Sequence, residues 1–413
     1  MNLDALVQDR EQAVQFMVDD ITHVCRDFEK REPGSRGEEQ ACEYFAELCR
    51  HYGCENAAVE AFPEHPYSFF GWMWITFSLI LVSVVLFFFA PVISVLLISI
   101  GWAIAILQFG MYYKAVDFLF PEKTGHNMTA SRKPSGEVLQ RVYFNGHCDA
   151  VWEWPVNYKY GGVAFELHMI ISAVGAAFYL ILSVIAAAVS GPFGLVAAHH
   201  WYFIAALIGL LFVPFFVGMF FMWDRHRIVD GANDNLSGCY MGLTILRELK
   251  EKGIDLEHTE VGVIICGSEE AGLRGSKAWA EQHQEEFDDI PTYIYSYDTI
   301  HDPKWLMANY RDLNGTVKTD QELNNLFLKC AEELGIPCRK GWVPPLGGAT
   351  DAAAFTQGGF RSGGITGLNH KLEDYYHTRR DTCDNMNPQG LADCYAISVK
   401  VLEKIENGAM DGR

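Results

Sequence analysis

Two stretches of this chain contain no Asp, Glu, Lys or Arg: residues 66–113 and 167–223. Each is long enough for two membrane spans of ~20 residues. Each also has a break inside it. Ala90-Pro91 separates 69–89 from 92–113, and Ser190-Gly191-Pro192 opens the gap between 167–189 and 201–223. A buried helix of a soluble core seldom needs ~20 consecutive uncharged residues, so four transmembrane helices in two hairpins are expected. Trp72, Trp74, Trp102, Tyr112, Trp201 and Trp223 gather toward the span ends, where interfacial aromatic belts form. The two hairpin loops carry no Lys or Arg, whereas Lys114, Lys123, Lys159, Arg225 and Arg227 flank the other ends. The positive-inside rule then places the loops outside and the rest of the chain in the cytoplasm.

The spans are poor in ionisable groups, which ion and substrate pathways require, so they read as anchors rather than as a transporter. His199 and His200, in the second loop, read as solvated. The rest of the 413-residue chain is strongly acidic, with a formal net charge of −20. That balance argues against a nucleic-acid partner, which selects basic faces. Eleven cysteines include no Cys-x-x-Cys pair and read as buried thiols in a reducing compartment. No basic n-region precedes an apolar core at the N-terminus, so a cleaved signal peptide is not expected.

Outside the spans, helical and strand-like patterns alternate. Helices are expected at 4–28, 37–52, 235–252, 319–334 and 390–407, and strands at 56–62, 138–146, 261–267 and 292–297. Such alternation implies an α/β fold, a mostly parallel central sheet flanked by helices, with the two transmembrane hairpins inserted into it. The expected organisation is 1–68, the first part of the catalytic domain; 69–113, hairpin one; 114–166, the segment with the first ligand; 167–223, hairpin two; and 224–413, the remaining catalytic sequence.

Five short polar motifs punctuate the soluble parts: Gly146-His147-Cys148-Asp149, Asn233-Asp234-Asn235, Ser268-Glu269-Glu270, Tyr297-Asp298 and Tyr376-His377-Thr378. Most follow an apolar strand-like run, where an α/β sheet presents side chains to a ligand crevice. Neutral imidazole and carboxylate suit zinc, and a carboxylate can bridge two metals ~3.5–4 Å apart. In this reading His147 and His377 each supply a nitrogen and Asp234 bridges. Asp298 and Glu270 complete separate metals. Glu269 is left as general base, and Asp149 orients the His147 ring. Each motif alone has a bland explanation in a turn, cap or solvated helix end, and their co-occurrence carries the case.

At these motifs the chain resembles the M28 family of zinc aminopeptidases and carboxypeptidases. Arg31-Glu-Pro-Gly-Ser-Arg-Gly-Glu-Glu is similar to the family's N-terminal turn, and Val142-Tyr-Phe-Asn-Gly-His-Cys-Asp to its first ligand strand. Gly231-Ala-Asn-Asp-Asn-Leu-Ser-Gly is similar to its bridging-Asp motif. Cys266-Gly-Ser-Glu-Glu-Ala-Gly-Leu-Arg-Gly-Ser-Lys resembles its base-plus-ligand segment, and Tyr375-Tyr-His-Thr-Arg-Arg-Asp-Thr-Cys-Asp-Asn its last ligand motif.

The resemblance implies two zinc ions, one on His147, Asp234 and Asp298, the other on Asp234, Glu270 and His377. It implies hydrolysis of peptides by a hydroxide held between the two zincs, with Glu269 as base and Tyr376 stabilising the oxyanion. A cis Asp234-Asn235 peptide is implied as well. The chain departs from the family pattern in its hairpins, one before the first ligand strand and one between the first ligand and the bridging Asp. A membrane-anchored aminopeptidase is the leading expectation. A single-zinc acyl transferase resembling glutaminyl cyclase, or a noncatalytic receptor or scaffold on the same fold, are the competitors. Glu373, Asp374 and Arg311 are candidates for binding a substrate terminus, and 347–351 and 358–367 for lining the pocket. Trp152, Glu153 and Trp154 read as interfacial anchors. The oligomeric state is not legible.

Overall fold

The structure is a computed structural model that describes residues 1–287 and 289–410; the last three residues of the expected 224–413 segment lie outside the described residues. The chain divides into two compact units: Met1–Pro66, Glu122–Trp152 and Arg227–Arg413 form one, and Tyr67–Pro121 and Glu153–His226 the other.

The first unit is built on an eight-stranded sheet. Its strands are β1 (Ala58–Glu64), β2 (Lys123–Arg132), β3 (Gln140–His147), β4 (Thr259–Cys266), β5 (Thr292–Ile300), β6 (Met307–Asn309), β7 (Arg339–Gly341) and β8 (Arg361–Gly367). Across the sheet they run β1-β2-β4-β3-β5-β8-β6-β7. The centre is parallel: β3 pairs with β4 and β5, and β5 with β8. The β1–β2–β4 side and the β8–β6 pair are antiparallel. Every residue of β4 is buried, as a strand covered on both faces requires.

Seven helices of this unit bear on the argument: α1 (Arg10–Asp27), α2 (Arg36–His51), α3 (Ser237–Glu251), α4 (Arg274–His283), α5 (Gln321–Leu334), α6 (Asp351–Gln357) and α7 (Pro388–Glu406). Helix α3 lies against the centre of the sheet with glycines at the contact. A Cβ on Gly242 would stand 2.5 Å from Val263 Cγ1, and one on Gly146 would stand 2.4 Å from the Cys239 nitrogen. That approach brings the end of β3 and the start of α3 together. None of the eleven cysteines forms a disulfide. Buried Cys42 and Cys148 face each other at 3.5 Å as thiols.

The second unit holds four helices long and apolar enough to cross a membrane: Ser68–Leu86, Pro91–Gly110, Gly162–Val189 and Trp201–Phe221. The third begins before the charge-free stretch, so Glu166 lies within it. Small residues admit close helix contact, as in membrane bundles. Gly101 lies against Thr76, Gly175 against Phe212, and Gly209 against Phe178 and Tyr179. Polar groups inside the bundle find one another: Ser94 and Ser183 at 2.8 Å, and the Tyr179 hydroxyl on the Ala206 carbonyl at 2.8 Å. Val85, Leu96, Ile181, Ile208 and Leu211 point outward and are exposed. A water-facing surface rarely carries so extended an apolar face.

Candidate metal centre

The parallel strands deliver the site residues at their C-terminal ends, where open α/β sheets bind ligands. His147 is the last residue of β3 and pairs in register with Cys266, the last of β4. The Ser268-Glu269-Glu270 turn follows β4 directly, and Asp298 lies near the end of β5. His377 arrives on the loop after β8. Three non-glycine residues at or beside these positions hold left-handed backbone: Ser268 at φ 53°, Thr299 at φ 52° and His377 at φ 54°. Strain of this kind costs ~1–3 kcal/mol per residue and clusters at functional sites.

Asp234 precedes α3, and the Asp234-Asn235 peptide is cis. The Asn235 amide ties this loop to β5: Nδ2 donates to the Tyr297 carbonyl at 2.8 Å, and Oδ1 accepts from the Thr299 and Gly238 amides at 3.1 and 3.0 Å. The Asp234 carboxylate therefore faces both histidines. Its Oδ1 lies 3.4 Å from His147 Nε2, and its Oδ2 lies 3.1 Å from His377 Nε2. Glu270 Oε1 is 3.3 Å from the same His377 nitrogen. Donor atoms of His147, Asp234 and Glu270 lie within 4.8 Å of one another, as do those of His147, Glu269 and Asp298. Glu269 Oε2 stands 3.7 Å from His147 Nε2.

Asp149 does two jobs. Its Oδ1 lies 3.3 Å from His147 Nδ1. Its two oxygens also accept the backbone N–H groups of Glu269 and Glu270, each at 3.0 Å. One carboxylate thus holds the acidic turn and stands beside the imidazole. Asp149→Asn is expected to lower metal affinity about 10–100-fold, the usual effect of losing a partner behind a ligand. Competition with a chromogenic chelator measures it, and unchanged affinity would remove Asp149 from this role.

The electrostatics are those of a crowded acidic cavity. Burial pushes the Glu269 carboxyl well up against the pull of His147, and burial likewise raises Glu270. Burial, then the Asp234 charge, pushes Asp298 up to about 8. At His147 burial opposes the charged ring, but Glu269, Asp149 and Asp234 outweigh it and hold the imidazole well above its usual range. His377 is brought to about 10 by Glu270 and Asp234 over the same opposition. Asp234 is held low by the two histidines despite its burial.

This donor set fits a cation. Among the described residues, His147 Nε2, Asp234 Oδ2 and Glu270 Oε1 are buried and find no hydrogen-bond partner. The 3.1–3.4 Å separations match the ~3.3 Å edge of a tetrahedron with ~2.0–2.1 Å bonds, the lengths zinc makes to imidazole and carboxylate. Tyr376 stacks on the His377 ring, with centroids 3.9 Å apart, and burial followed by the Asp234 and Glu270 charges raises its phenol.

Sequence reasoning gave no role to several residues that shape this centre. Asp381 accepts from the Asn233 amide at 2.9 Å, the Asn233 side chain at 2.8 Å and the Asp234 amide at 3.0 Å. Burial and the Asp234 charge bring its carboxyl to about 7. Its position four residues after His377 was the only signal. Asp351, in the segment expected to line the pocket, is buried, and burial raises its carboxyl against the pull of His147 and of the Ser276 and Asn145 side chains. Of the residues considered for a substrate terminus, Glu373 accepts from Trp305 Nε1 at 3.1 Å, and exposed Arg311 donates to the Gly315 carbonyl at 3.2 Å. Trp152 is not an interfacial anchor: it is fully buried and donates its indole N–H to Glu32 at 2.9 Å. Trp154 stacks on Phe165 at 4.2 Å inside the second unit.

Residues 223–402 match the model of Peptidase family M28. This segment contains Asp234, Glu269, Glu270, Asp298, Tyr376 and His377, and it lacks His147 and Asp149. Among solved structures, BSAP, a zinc aminopeptidase from Bacillus subtilis, superposes with a TM-score of 0.55 at 13% identity, over 95% of this chain and 94% of that one. The aminopeptidase from Aneurinibacillus sp. strain AM-1 gives 0.53 at 13%, over 96% and 93%. A glutaminyl cyclase from Bacteroides thetaiotaomicron gives 0.53 at 12%, over 96% of each chain. At these identities the likeness is one of fold. No curated protein matches by sequence. The first unit thus has the α/β architecture of zinc aminopeptidases, a large central sheet flanked by helices.

Proposed function

We propose that this protein is a membrane-anchored, zinc-dependent aminopeptidase. The observation that carries the reading is the Asp234 carboxylate, whose two oxygens each face a different histidine at 3.4 and 3.1 Å, the arrangement a metal-bridging carboxylate requires. His147, Asp234 and Asp298 would hold one zinc, and Asp234, Glu270 and His377 the other. Zinc bound there supplies Lewis-acid polarisation of the scissile carbonyl and acidifies water.

The chain's own residues do the rest. Glu269 takes a proton from the attacking water at Oε2 and delivers it to the leaving amine nitrogen. Burial raises the proton affinity of its carboxyl, the direction that favours accepting a proton. The Tyr376 hydroxyl donates to the carbonyl oxygen as negative charge develops there. Asp149 holds the base and the first histidine in register through the 3.0 Å bonds to the acidic turn. The four apolar helices anchor the chain in the bilayer, and the Lys/Arg-free hairpin loops support a cytoplasmic catalytic unit. Substrates are then peptides at the membrane surface.

Purified enzyme should cleave peptides with a free N-terminus, spare their N-acetylated counterparts and lose activity to a chelator. Cleavage of both peptide sets at equal rates would remove the aminopeptidase assignment.

One observation favours a second reading. Glu269 and Asp298 converge on His147, and a carboxyl brought to about 8 can keep a proton there in place of a metal. The cluster would then leave a single zinc on Asp234, Glu270 and His377, with acyl-transfer chemistry of the glutaminyl cyclase kind. Conversion of N-terminal glutamine to pyroglutamate, without peptide cleavage, would select this alternative.

A further inference from the structure

Behind the Glu269–Glu270 turn stands a second pair of buried acids that the proposed chemistry does not use. Glu38 is the third residue of α2, and Ser35 caps that helix by accepting from the Glu38 amide at 3.4 Å. In this Ser-x-x-Glu spacing the glutamate side chain turns back past the helix start. Glu38 Oε2 accepts from the Gly34 amide at 3.2 Å, and Oε1 accepts from the His126 amide on β2 at 2.8 Å. Glu64 ends β1. The two residues are 0% and 2% exposed. Both reach the same atom: Ser268 Oγ lies 2.7 Å from Glu38 Oε2 and 2.5 Å from Glu64 Oε1. The approach is tight enough that a Cβ on Gly267 would stand 2.6 Å from Glu38 Cδ.

A serine hydroxyl has one hydrogen to donate. Two carboxylates cannot both accept it, so one of the two short contacts needs a hydrogen from the carboxyl side. Glu38 already accepts two backbone N–H groups, which favour its charged form. Glu64 Oε2 is buried and makes no hydrogen bond among the described residues, a costly place for full negative charge. We propose that Glu64 is protonated at neutral pH and donates through Ser268 Oγ to the Glu38 carboxylate, and that this chain positions the Ser268-Glu269-Glu270 turn for turnover.

The charged and titratable groups facing the pair are Arg274 and Lys123, which favour a charged Glu64; Asp149, which opposes it; and His126 beside Glu38. Burial raises both carboxyls, Glu38 well above the usual range and Glu64 to about 8, and the two backbone N–H groups on Glu38 place the shared proton on Glu64. The unfolded value is ~4.3, so the folded state binds the extra proton between those limits. Stability from this group is complete below ~4.3 and is lost as pH rises through about 8. That the turn is catalytic rests on the peptidase reading; the proton itself does not.

The full-length protein in detergent, as wild type, Glu64→Gln, Glu64→Ala and Ser268→Ala, tests this. Infrared difference spectra at pH 7 should show a protonated-carboxyl band in wild type that Glu64→Gln lacks. The melting temperature of wild type should fall relative to Glu64→Gln as pH rises from ~5 to about 8. Glu64→Ala and Ser268→Ala should lower kcat about 10–100-fold with KM little changed, the effect of a slightly misplaced catalytic group. Glu64→Gln, whose amide donates the same hydrogen bond, should restore most of it. Absence of the band, or parallel melting curves, would overturn the shared proton. Wild-type kcat in Glu64→Ala, with Glu269→Gln inactive, would overturn the positioning role while leaving the peptidase reading intact. If wild type cleaves no peptide, the spectra and melting curves still decide the proton. If Glu64→Ala fails to fold, Glu64→Gln and Ser268→Ala decide.

Discussion

Glu269→Gln should abolish peptide hydrolysis while leaving metal content at the wild-type level. The amide has nearly the shape of the carboxylate but cannot take a proton from water, and a positioned general base contributes ~10²–10⁴-fold to rate. The variant should otherwise keep its place, because the turn is held through its backbone by Asp149 at 3.0 Å on both amides. The loss should fall on kcat, with KM nearly constant. Elemental analysis of the purified variant separates two roles that the geometry sets close together, since Glu269 Oε2 is 3.7 Å from His147 Nε2. Lost turnover with retained metal identifies a base, whereas lost metal identifies a ligand. Turnover near wild type would dismiss both.

Arg31→Ala should destabilise the whole first unit and empty the site without touching it. Arg31 is 2% exposed. Its Nε donates to the Cys148 carbonyl at 2.6 Å, and Nη2 donates to the Asp230 and Gly231 carbonyls at 2.5 and 3.2 Å. Its own carbonyl accepts from the Ala150 amide at 2.8 Å. One guanidinium therefore pins the residue after His147 and the loop before Asp234. Hydrogen bonds to a charged group are worth ~1.5–3 kcal/mol each, and buried acceptors left unpaired cost ~1–3 kcal/mol. The sum is several kcal/mol, a large share of the ~5–15 kcal/mol that holds a typical protein folded. Lysine should not rescue, because a single ammonium lacks the planar fork. The expected result is a lower melting temperature together with a substoichiometric metal content in both variants. A variant with wild-type melting temperature and metal content would contradict this account of the clamp.

The residues that converge on the candidate centre were legible because they sit at strand ends. His147, Glu269, Glu270 and Asp298 each follow or end an apolar run, and a parallel sheet collects those ends on one edge. The edges of the sheet were not legible. Strands β6 and β7 have three residues each, too few to show an alternating pattern, and β6 lies antiparallel to β8. The four long apolar helices were clear from their lack of charge, but not their ends. The third begins at Gly162, and the fourth is interrupted by short 3₁₀ turns around Pro214, since proline removes a helix donor.

Supporting residues stayed hidden for a different reason. Arg31, Glu38, Glu64 and Asp381 act through partners between 88 and 230 residues away in sequence. No local pattern marks a buried charge whose partners are backbone groups elsewhere in the fold. Trp152 is the instructive case. Beside an apolar hairpin, an aromatic pair suits an interfacial belt, yet its indole is buried on Glu32.

In the proposed site two metals share Asp234. Chelator-treated enzyme, titrated with zinc while hydrolysis of a free-N-terminus peptide is followed, tests this directly. Full activity should require two equivalents of zinc per chain, with both bound as measured by elemental analysis. Saturation of activity and binding at one equivalent would contradict the bridging role of Asp234.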